Sequence, residues 1–170
     1  GAIKMNAGCY GFETKDKLHS IEIYDKLGNK NILKSEDLSL KYRSSNILNN
    51  QIITSALFNY EYGSKKDIQN EIKNIKLQRT NTQPIKDKSS GSTFKNPSNK
   101  FAAELIDKSG CKGLKYGDAS ISLKHANFLI NNGEAKSSDI ENLGKLVIDK
   151  VEKKFGITLE WEIKIIGDKN

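Results

Sequence analysis

The sequence predicts an α+β fold in two parts, a strand-rich part over residues 1–62 and a mixed α/β part over residues 63–170. Apolar and polar residues alternate along the first part, which is typical of half-buried strands. In the second part, apolar residues recur at helical spacing, and short runs of strand-forming residues lie between these segments. With 170 residues, the chain has room for one large domain or for a small domain and part of another.

The first part is predicted to be a glycine-rich loop followed by strands. The loop covers residues 1–14, and glycines at this density let a backbone approach a ligand closely. Leu18–Tyr24 alternates between apolar and polar side chains, and a turn at Gly28–Asn29 separates it from a strand around Ile32–Leu33. Ile52–Tyr62 is a further alternating run. The first part contains few other residues that could pack over the faces of these strands.

The second part is predicted to begin with a helix and a long loop. The helix follows Gly63, with Ser64 as its N-cap and an apolar stripe formed by Ile68, Ile72 and Ile75. Residues 80–100 contain both prolines of the chain and many polar residues, which predicts a loop. A loop of this length inside a compact domain is usually functional or disordered.

Two more helices are predicted further along. One covers Phe101–Ser109, and the other covers Ser138–Phe155, where Ser138 and Glu141 fit a capping box. The second has a buried stripe formed by Ile140, Leu143, Val147, Val151 and Phe155, and Gly156 ends it. Short strands are predicted at Leu114–Tyr116, Ala119–Ser122 and Asn127–Ile130. A final strand is predicted over Ile157–Ile166, with Glu162 on its polar face.

The net charge of +7 leaves three classes of partner open: a nucleic acid, a membrane surface or a phosphorylated ligand. The lysines are scattered among acidic and polar residues, which favours a solvated surface. We expect no nucleic-acid partner, because no recognised motif is present and the aromatic content is only 8%. Only Arg43 and Arg79 are arginines among the 28 basic residues, and this scarcity draws attention to Arg43 as a planar, permanently charged group.

The apolar and cysteine patterns narrow the class of protein further. No apolar run approaches the roughly 20 residues of a membrane helix, and no signal peptide is recognisable, so we expect no membrane association. Cys9 and Cys111 have no second thiol or histidine at metal-ligand spacing, and they form no disulfide framework. We therefore expect no metal and a reducing cytoplasm as the location. We also expect a monomer.

Several polar residues are candidates for chemistry, but each has an ordinary interpretation. Ser92 lies beside Gly91 in the long loop, and neither a nucleophile elbow nor a phosphate-binding loop is present there. The cluster around it can hold a polar, anionic ligand, or it can be a simple turn. Glu162 suits a solvent-facing strand position, Arg43 a surface cation, and His125 a structural histidine. The residues taken singly leave both interpretations open.

The order of the motifs resembles the UDP-N-acetylenolpyruvoylglucosamine reductase family. Met5–Gly11 resembles the family's flavin-contacting loop, and Tyr42–Ser45 resembles its Tyr-Arg-x-Ser motif. The substrate loop has its counterpart in Gln83–Pro84 followed by Gly91–Pro97. The segments Lys124–Phe128 and Glu162–Gly167 complete the series. Five motifs in the family's order, spread over nearly the whole chain, make a specific match.

The resemblance implies a flavoenzyme of peptidoglycan synthesis. Residues 1–62 would be the C-terminal portion of an FAD-binding α+β domain, and residues 63–170 a mixed α/β substrate-binding domain. NADPH would reduce FAD, which would then pass hydride to the enolpyruvyl ether of a UDP-sugar to give UDP-N-acetylmuramate. The resemblance assigns catalysis to Arg43, Ser92 and Glu162, flavin contacts to Asn6, Ala7, Gly8, Tyr10 and Gly11, and substrate contacts to Tyr42, Lys95 and Asn96.

Two departures from the family's pattern bear on the predicted subclass and on FAD binding. The interval from Arg43 to Ser92 is too short for the tyrosine-bearing insertion of some members, which indicates the shorter subclass. The family's early FAD-phosphate-binding segment has no counterpart here. We therefore expect either a fragment of a longer protein or a truncated gene product, and weak retention of FAD. The alternative function is a non-catalytic UDP-sugar-binding module that cannot hold FAD.

Overall fold

The computed structural model describes residues 1–167, so the last three residues of the predicted second part, 168–170, lie outside the described residues. The chain divides into two compact units, Gly1–Ser64 and a unit that begins at Lys65. The first is built from strands and short turns, and the second contains three α-helices and a small sheet. The predicted α+β fold class is confirmed.

The first unit opens with a hairpin that the sequence did not predict. Strands β1 (Gly8–Cys9) and β2 (Phe12–Glu13) pair antiparallel, with Cys9 opposite Phe12. The expectation of a loop throughout residues 1–14 is therefore wrong. The two-residue tip has φ angles of 53° at Tyr10 and 84° at Gly11, the left-handed conformation that tight hairpins require. Glycine adopts it without steric cost, and strands of two residues are too short to leave an alternating pattern.

The core of the first unit is formed by one face of a three-stranded antiparallel sheet. Strand β3 (Leu18–Tyr24) lies between β4 (Lys30–Lys34) and β5 (Ile52–Phe58). The predicted β3 and the turn before β4 are confirmed, whereas the third strand ends four residues before the expected Tyr62. The buried core consists of Leu18, Ile21, Ile23, Leu38 and Ile47.

The second unit begins with helix α1 (Lys65–Thr82), which has no buried residue. The predicted stripe is present, but Ile68 and Ile72 are 48% and 47% exposed. Periodicity predicts which side chains share a face, and burial requires a second surface to pack on that face. The long loop starts after this helix, at residue 83, and single backbone bridges connect it to later segments.

The core of the second unit lies between α3 (Ser137–Phe155), α2 (Ala102–Lys108) and a small sheet. The sheet is antiparallel, in the order β6 (Lys115–Tyr116), β7 (Ala119–Ile121) and β8 (Leu129–Asn131). The three short strands and both helices agree with the prediction within a few residues. The expected stripe of α3 is confirmed, with Leu143, Val147 and Val151 buried and Ile140 and Phe155 packed against the same core.

Two local predictions for the second unit are wrong. Helix α3 is capped by Asp139, whose carboxylate accepts a 2.9 Å hydrogen bond from the Lys136 amide, so Ser138 lies within the first turn. The segment Ile157–Ile166 is not a strand, although Trp161 pairs with Phe94 in a single bridge. Its partner is the irregular loop rather than a regular strand, so the ladder does not extend.

Candidate functional site

The loop that contains Ser92 lies between two later segments of the second unit. On one side, the Thr93 amide donates a 2.8 Å hydrogen bond to the Asn127 carbonyl. On the other side, the Lys95 amide donates to the Glu160 carbonyl at 2.8 Å, and the Glu162 amide donates to the Thr93 carbonyl at 2.8 Å. The loop therefore acts as the middle member of three short extended segments. Its backbone is anchored, although no regular strand covers it.

Ser92 is partly buried at the start of this anchored segment, where it pairs with Phe128 in a backbone bridge. Among residues 1–167, no group forms a hydrogen bond with its hydroxyl. The hydroxyl is thus held on a fixed backbone without an internal partner that a ligand would have to displace.

Residues 93 and 94 are the fully buried part of this segment. Thr93 and Phe94 are fully buried, and the Thr93 hydroxyl accepts a hydrogen bond from the Leu129 amide at 3.3 Å. The Phe94 ring lies 4.9 Å from the Trp161 ring, centroid to centroid. Trp161 in turn lies over Gly144 of α3, where a Cβ atom would come within 1.9 Å of the indole. The neighbours of Ser92 are thus packed into the core of the unit.

The Asn127 side chain holds the same segment through two hydrogen bonds to a single residue. Its Oδ1 accepts from the Phe94 amide at 3.0 Å, and its Nδ2 donates to the Phe94 carbonyl at 2.8 Å. Asn127 is 3% exposed, so both groups depend on it for their hydrogen bonds. The motif Lys124–Phe128 includes Asn127, but no role was predicted for this residue. The sequence feature that could have indicated this structural role is a carboxamide within an apolar, strand-forming run.

The three remaining polar residues predicted in this unit already have structural partners. The Lys95 ammonium forms a 2.8 Å ion pair with Glu160. The Asn96 Oδ1 accepts a 3.0 Å hydrogen bond from the Ala102 amide, at the start of α2. Glu162 is partly buried and bonded through its amide to Thr93. The structure therefore brings Ser92, Lys95, Asn96 and Glu162 together in one unit, around one anchored loop.

The predicted flavin loop in the first unit is folded around the side chain of Asn6. Asn6 is fully buried, and its Nδ2 donates to the Glu13 carboxylate at 3.0 Å and to the Lys41 carbonyl at 3.2 Å. The pKa of Glu13 lies below its ordinary value because Lys15, and then Asn6, donate hydrogen bonds to the carboxylate. The Ala7 carbonyl accepts a 2.8 Å hydrogen bond from the Thr14 amide. Asn6 and Ala7 thus shape the loop, and its Tyr10–Gly11 tip is exposed.

Arg43 reaches the same loop from a tight turn. Lys41 and Ser44 exchange two backbone hydrogen bonds of 3.1 Å, which places Tyr42 and Arg43 at the tip, and Arg43 has a φ of 51°. The Arg43 Nη2 donates to the Gly8 carbonyl at 3.3 Å, and its guanidinium lies 5.0 Å from the centre of the Tyr42 ring. Within the first unit, the structure therefore brings the predicted arginine to the predicted flavin loop.

The described residues add three further findings. They contain no group of three or more His, Cys, Asp or Glu side chains that could hold a metal ion. None of their helices is both long and apolar enough to cross a membrane. A cavity of about 430 Å³ opens on the second unit, lined by Lys115, Ser120, Lys124 and Asn132 among others. None of the predicted site residues lines that cavity.

Comparison with known proteins connects this arrangement to one family. Residues 83–166 match the family described as UDP-N-acetylenolpyruvoylglucosamine reductase, C-terminal domain. A reductase of that name from Orientia tsutsugamushi strain Boryong is 48% identical over 170 residues, which cover all of this chain and 56% of the relative. One from Rickettsia conorii is 46% identical, and the match covers 98% of this chain and 57% of the relative.

A solved structure gives the same result for the fold. The crystal structure of the UDP-N-acetylenolpyruvylglucosamine reductase from Thermus caldophilus superposes with a TM-score of 0.85 at 35% identity. The match covers 96% of this chain and 58% of that one. The chain thus spans a little over half the length of the relatives that it matches.

Proposed function

Because residues 83–166 belong to the family of UDP-N-acetylenolpyruvoylglucosamine reductase C-terminal domains, we propose that this chain supplies the substrate-binding part of such a reductase. The reaction is the NADPH- and FAD-dependent reduction of UDP-N-acetylglucosamine enolpyruvate to UDP-N-acetylmuramate. The observation that carries the proposal is the anchored Ser92 segment, bonded to Glu162 through Thr93. The names of the relatives favour this reductase over a UDP-sugar-binding module without redox chemistry.

Ser92 is the proposed proton donor. Hydride addition to C3 of the enolpyruvyl group leaves negative charge at C2, delocalised into the adjacent carboxylate. A serine hydroxyl is a weak acid in water, but such a carbanion-like centre is basic enough to take its proton when the geometry is fixed. The anchored backbone that directly follows Ser92 supports this role, as does a hydroxyl that forms no hydrogen bond to a described residue.

Glu162 and Arg43 are the proposed stabilisers of the developing enolate. A guanidinium binds a carboxylate through two parallel hydrogen bonds, which suits Arg43 for the carboxylate of the substrate. Glu162 can stabilise the enol oxygen through a hydrogen bond if its carboxyl is protonated. Its position one hydrogen bond from Thr93, the neighbour of Ser92, supports a role in the same step.

Tyr42, Lys95 and Asn96 are the proposed substrate contacts. The Lys95 ammonium is 2.8 Å from Glu160, so a phosphate or sugar oxygen would share or replace that partner. The Oδ1 of Asn96 accepts a hydrogen bond from the Ala102 amide, which fixes the side chain at the start of α2, and a carboxamide there can bond to a substrate oxygen. Tyr42 has an exposed ring beside Arg43 and can pack on the ligand that Arg43 binds.

The hairpin tip of the first unit fits a flavin contact. Apart from Gly11 and its two chain neighbours, no described atom lies within 4 Å of the position that a Gly11 side chain would take, so a flat ring can approach the backbone there. We propose that Gly8, Tyr10 and Gly11 contact FAD through this exposed turn, and that Asn6 and Ala7 hold its shape. When bound, FAD supplies the hydride that it receives from NADPH.

We also propose a monomer that acts in the cytoplasm on a small UDP-sugar, with no nucleic acid as partner. Cys9 and Cys111 are both unbridged thiols, as a reducing compartment favours. The scattered lysines support a solvated surface rather than a nucleic-acid interface.

The proposal is tested with a completed protein, in which this chain is joined to the part of the Orientia tsutsugamushi relative that it does not span. We expect the completed protein to bind FAD and to oxidise NADPH only when UDP-N-acetylglucosamine enolpyruvate is present, with UDP-N-acetylmuramate as the product detected by mass spectrometry. Binding of the UDP-sugar without any product would instead support the non-catalytic module.

A further inference from the structure

We propose that Asn127 is a positioning residue for Ser92, and that it acts by fixing the backbone of Phe94 two residues further along. The inference rests on the proposed function of Ser92. Asn127 forms two hydrogen bonds to Phe94, 3.0 Å from the amide and 2.8 Å to the carbonyl. Two bonds from one planar carboxamide determine both the position and the direction of that peptide.

The burial of this segment makes the Asn127 contact decisive for the position of the Phe94 backbone. Thr93 and Phe94 are fully buried, and water is therefore not available to replace a lost partner. The Asn127 carbonyl also accepts from the Thr93 amide at 2.8 Å, so one residue bonds both peptides that follow Ser92. The opposite edge is held by Glu160 and Glu162, which bond to Lys95 and Thr93. Without the Asn127 side chain, both peptide groups of Phe94 would lose their hydrogen bonds, and the Asn127 edge would keep only its bonds to Thr93.

Asn131 offers a matched control four residues away. Its Oδ1 accepts from the Ala135 amide at 3.1 Å, and its Nδ2 donates to the Ala135 carbonyl at 3.2 Å. The chemistry includes the same carboxamide pair on one backbone residue, but the site is the turn before α3, where Oδ1 also accepts a 2.8 Å hydrogen bond from the Gly133 amide. Asn131→Asp and Asn127→Asp therefore break the same kind of contact in two places, of which only one holds the Ser92 segment.

The substitution to aspartate makes the contact depend on pH. A protonated carboxyl keeps one acceptor and one donor and can replace the carboxamide, whereas a carboxylate would face the Phe94 carbonyl and repel it. Burial raises the pKa of such a carboxyl above the ordinary value of about 4. The other titratable groups on the three segments are Lys124, His125, Glu162, Lys164 and the Lys95–Glu160 pair. They are present in both variants, so their titration cancels in the comparison.

The test uses the 170-residue chain and two readouts at about pH 9 and about pH 5.5. The first is the amide-exchange protection of Thr93, Phe94 and Lys95 by NMR, with the global unfolding free energy measured in parallel. For Asn127→Asp at the higher pH we expect protection of these amides to fall at least tenfold more than in Asn131→Asp, and to recover at the lower pH. Equal protection in the two variants at both pH values would overturn the proposal.

The second readout is calorimetric binding of UDP-N-acetylglucosamine enolpyruvate. We expect roughly tenfold weaker binding for Asn127→Asp at the higher pH, recovery at the lower pH, and no change for Asn131→Asp. If the unsubstituted chain does not bind this UDP-sugar, the proposed function fails, and the exchange data decide the role of Asn127 by themselves. If the protection changes as expected while binding is identical in both variants, Asn127 orders the loop without serving the substrate, and the proposal is rejected.

Discussion

The carbonyl of Thr93 accepts a 2.8 Å hydrogen bond from the amide of Glu162. These residues are separated by most of the second unit along the chain, yet the bond joins the loop that contains Ser92 to the segment that contains the proposed acidic residue. Because Thr93 is fully buried, this bond is shielded from water. A displacement of either segment would therefore be transmitted to the other through this bond and through the neighbouring bond from the Lys95 amide to the Glu160 carbonyl.

Replacing Ser92 by alanine in the completed protein should separate the two halves of the reaction. We expect flavin reduction by NADPH to proceed at the unsubstituted rate, and product formation to slow by about 10²–10⁴-fold, the usual contribution of a positioned proton donor. Rapid-mixing spectroscopy of each half-reaction measures both. Ser90→Ala is the control, because Ser90 is an exposed hydroxyl of the same loop. Equal slowing of both half-reactions would exclude the proton-donor role.

The planar guanidinium of Arg43, and not only its positive charge, should be required for activity. We expect Arg43→Lys to lower kcat/KM for the UDP-sugar by about 10–10³-fold, because lysine cannot form two parallel hydrogen bonds to a carboxylate and would lose the contact with Gly8. Steady-state kinetics of the completed protein tests this. Arg79→Lys is the matched control, since it makes the same change to the other arginine of the chain, on the exposed helix α1. A similar loss in both variants would argue against a specific role.

Gly144 should tolerate no side chain while Trp161 lies over it. A Cβ atom at position 144 would come 1.9 Å from the indole, so we expect Gly144→Ala to lower the free energy of unfolding by about 1–3 kcal/mol. Urea unfolding measures the loss. Lys145→Ala, at the exposed neighbouring position, should change stability by less than about 0.5 kcal/mol.

A double-mutant cycle identifies the cause of that loss. In the background of Trp161→Phe, whose smaller ring leaves room for the methyl group, the cost of Gly144→Ala should fall to less than half. An unchanged cost would mean that the indole is not the obstacle.

His125 should make the second unit less stable in mild acid. Burial, and next the charge of Lys112, lower the pKa of this histidine below its ordinary value of 6.5. As the pH falls below about 6.5, the unfolded chain takes up a proton that the folded chain still excludes, and the free energy of unfolding decreases. Above that pH the histidine contributes no pH dependence. Urea unfolding between about pH 7.5 and pH 5 tests the sign.

Substituting each of the two histidines in turn shows which of them causes the loss of stability in mild acid. His125→Gln should flatten the decline, and His19→Gln, at an exposed position of the first unit, should leave it unchanged. A decline that persists in His125→Gln would assign it to other groups.

Local patterns predicted much of the fold because they act within single elements. Leu18–Tyr24 alternates along a strand that is buried on one face, and α3 presents Leu143, Val147 and Val151 at helical spacing to the core. Both patterns follow from the side-chain periods of strand and helix alone. The predicted cap of α3 was wrong because serine and aspartate near a helix start can both cap its free amides. The residue at which the first turn begins decides which of them does so.

Contacts between distant segments were beyond what periodicity could predict. Phe94 pairs with Trp161 through one bridge and a ring contact, and neither segment has a regular partner strand. The role of Asn127 depends on which backbone groups come within 3 Å of it, and these lie 33 residues away in the chain. For the site itself, the motif order indicated Ser92, Arg43 and Glu162, and it did not reveal the residues that hold their backbones.

The exposed helix α1 bears on how the chain responds to proteases. Helices in proteins are stabilised mostly by the packing of an apolar face, and α1 has no fully buried side chain in the described part of the chain. Its local opening should therefore cost less free energy than opening α3, whose apolar stripe is buried. Lys73, Lys76 and Arg79 offer trypsin sites within it. A brief digestion should thus cut here before it cuts α3, and it would release an intact C-terminal piece that retains Ser92 and Glu162.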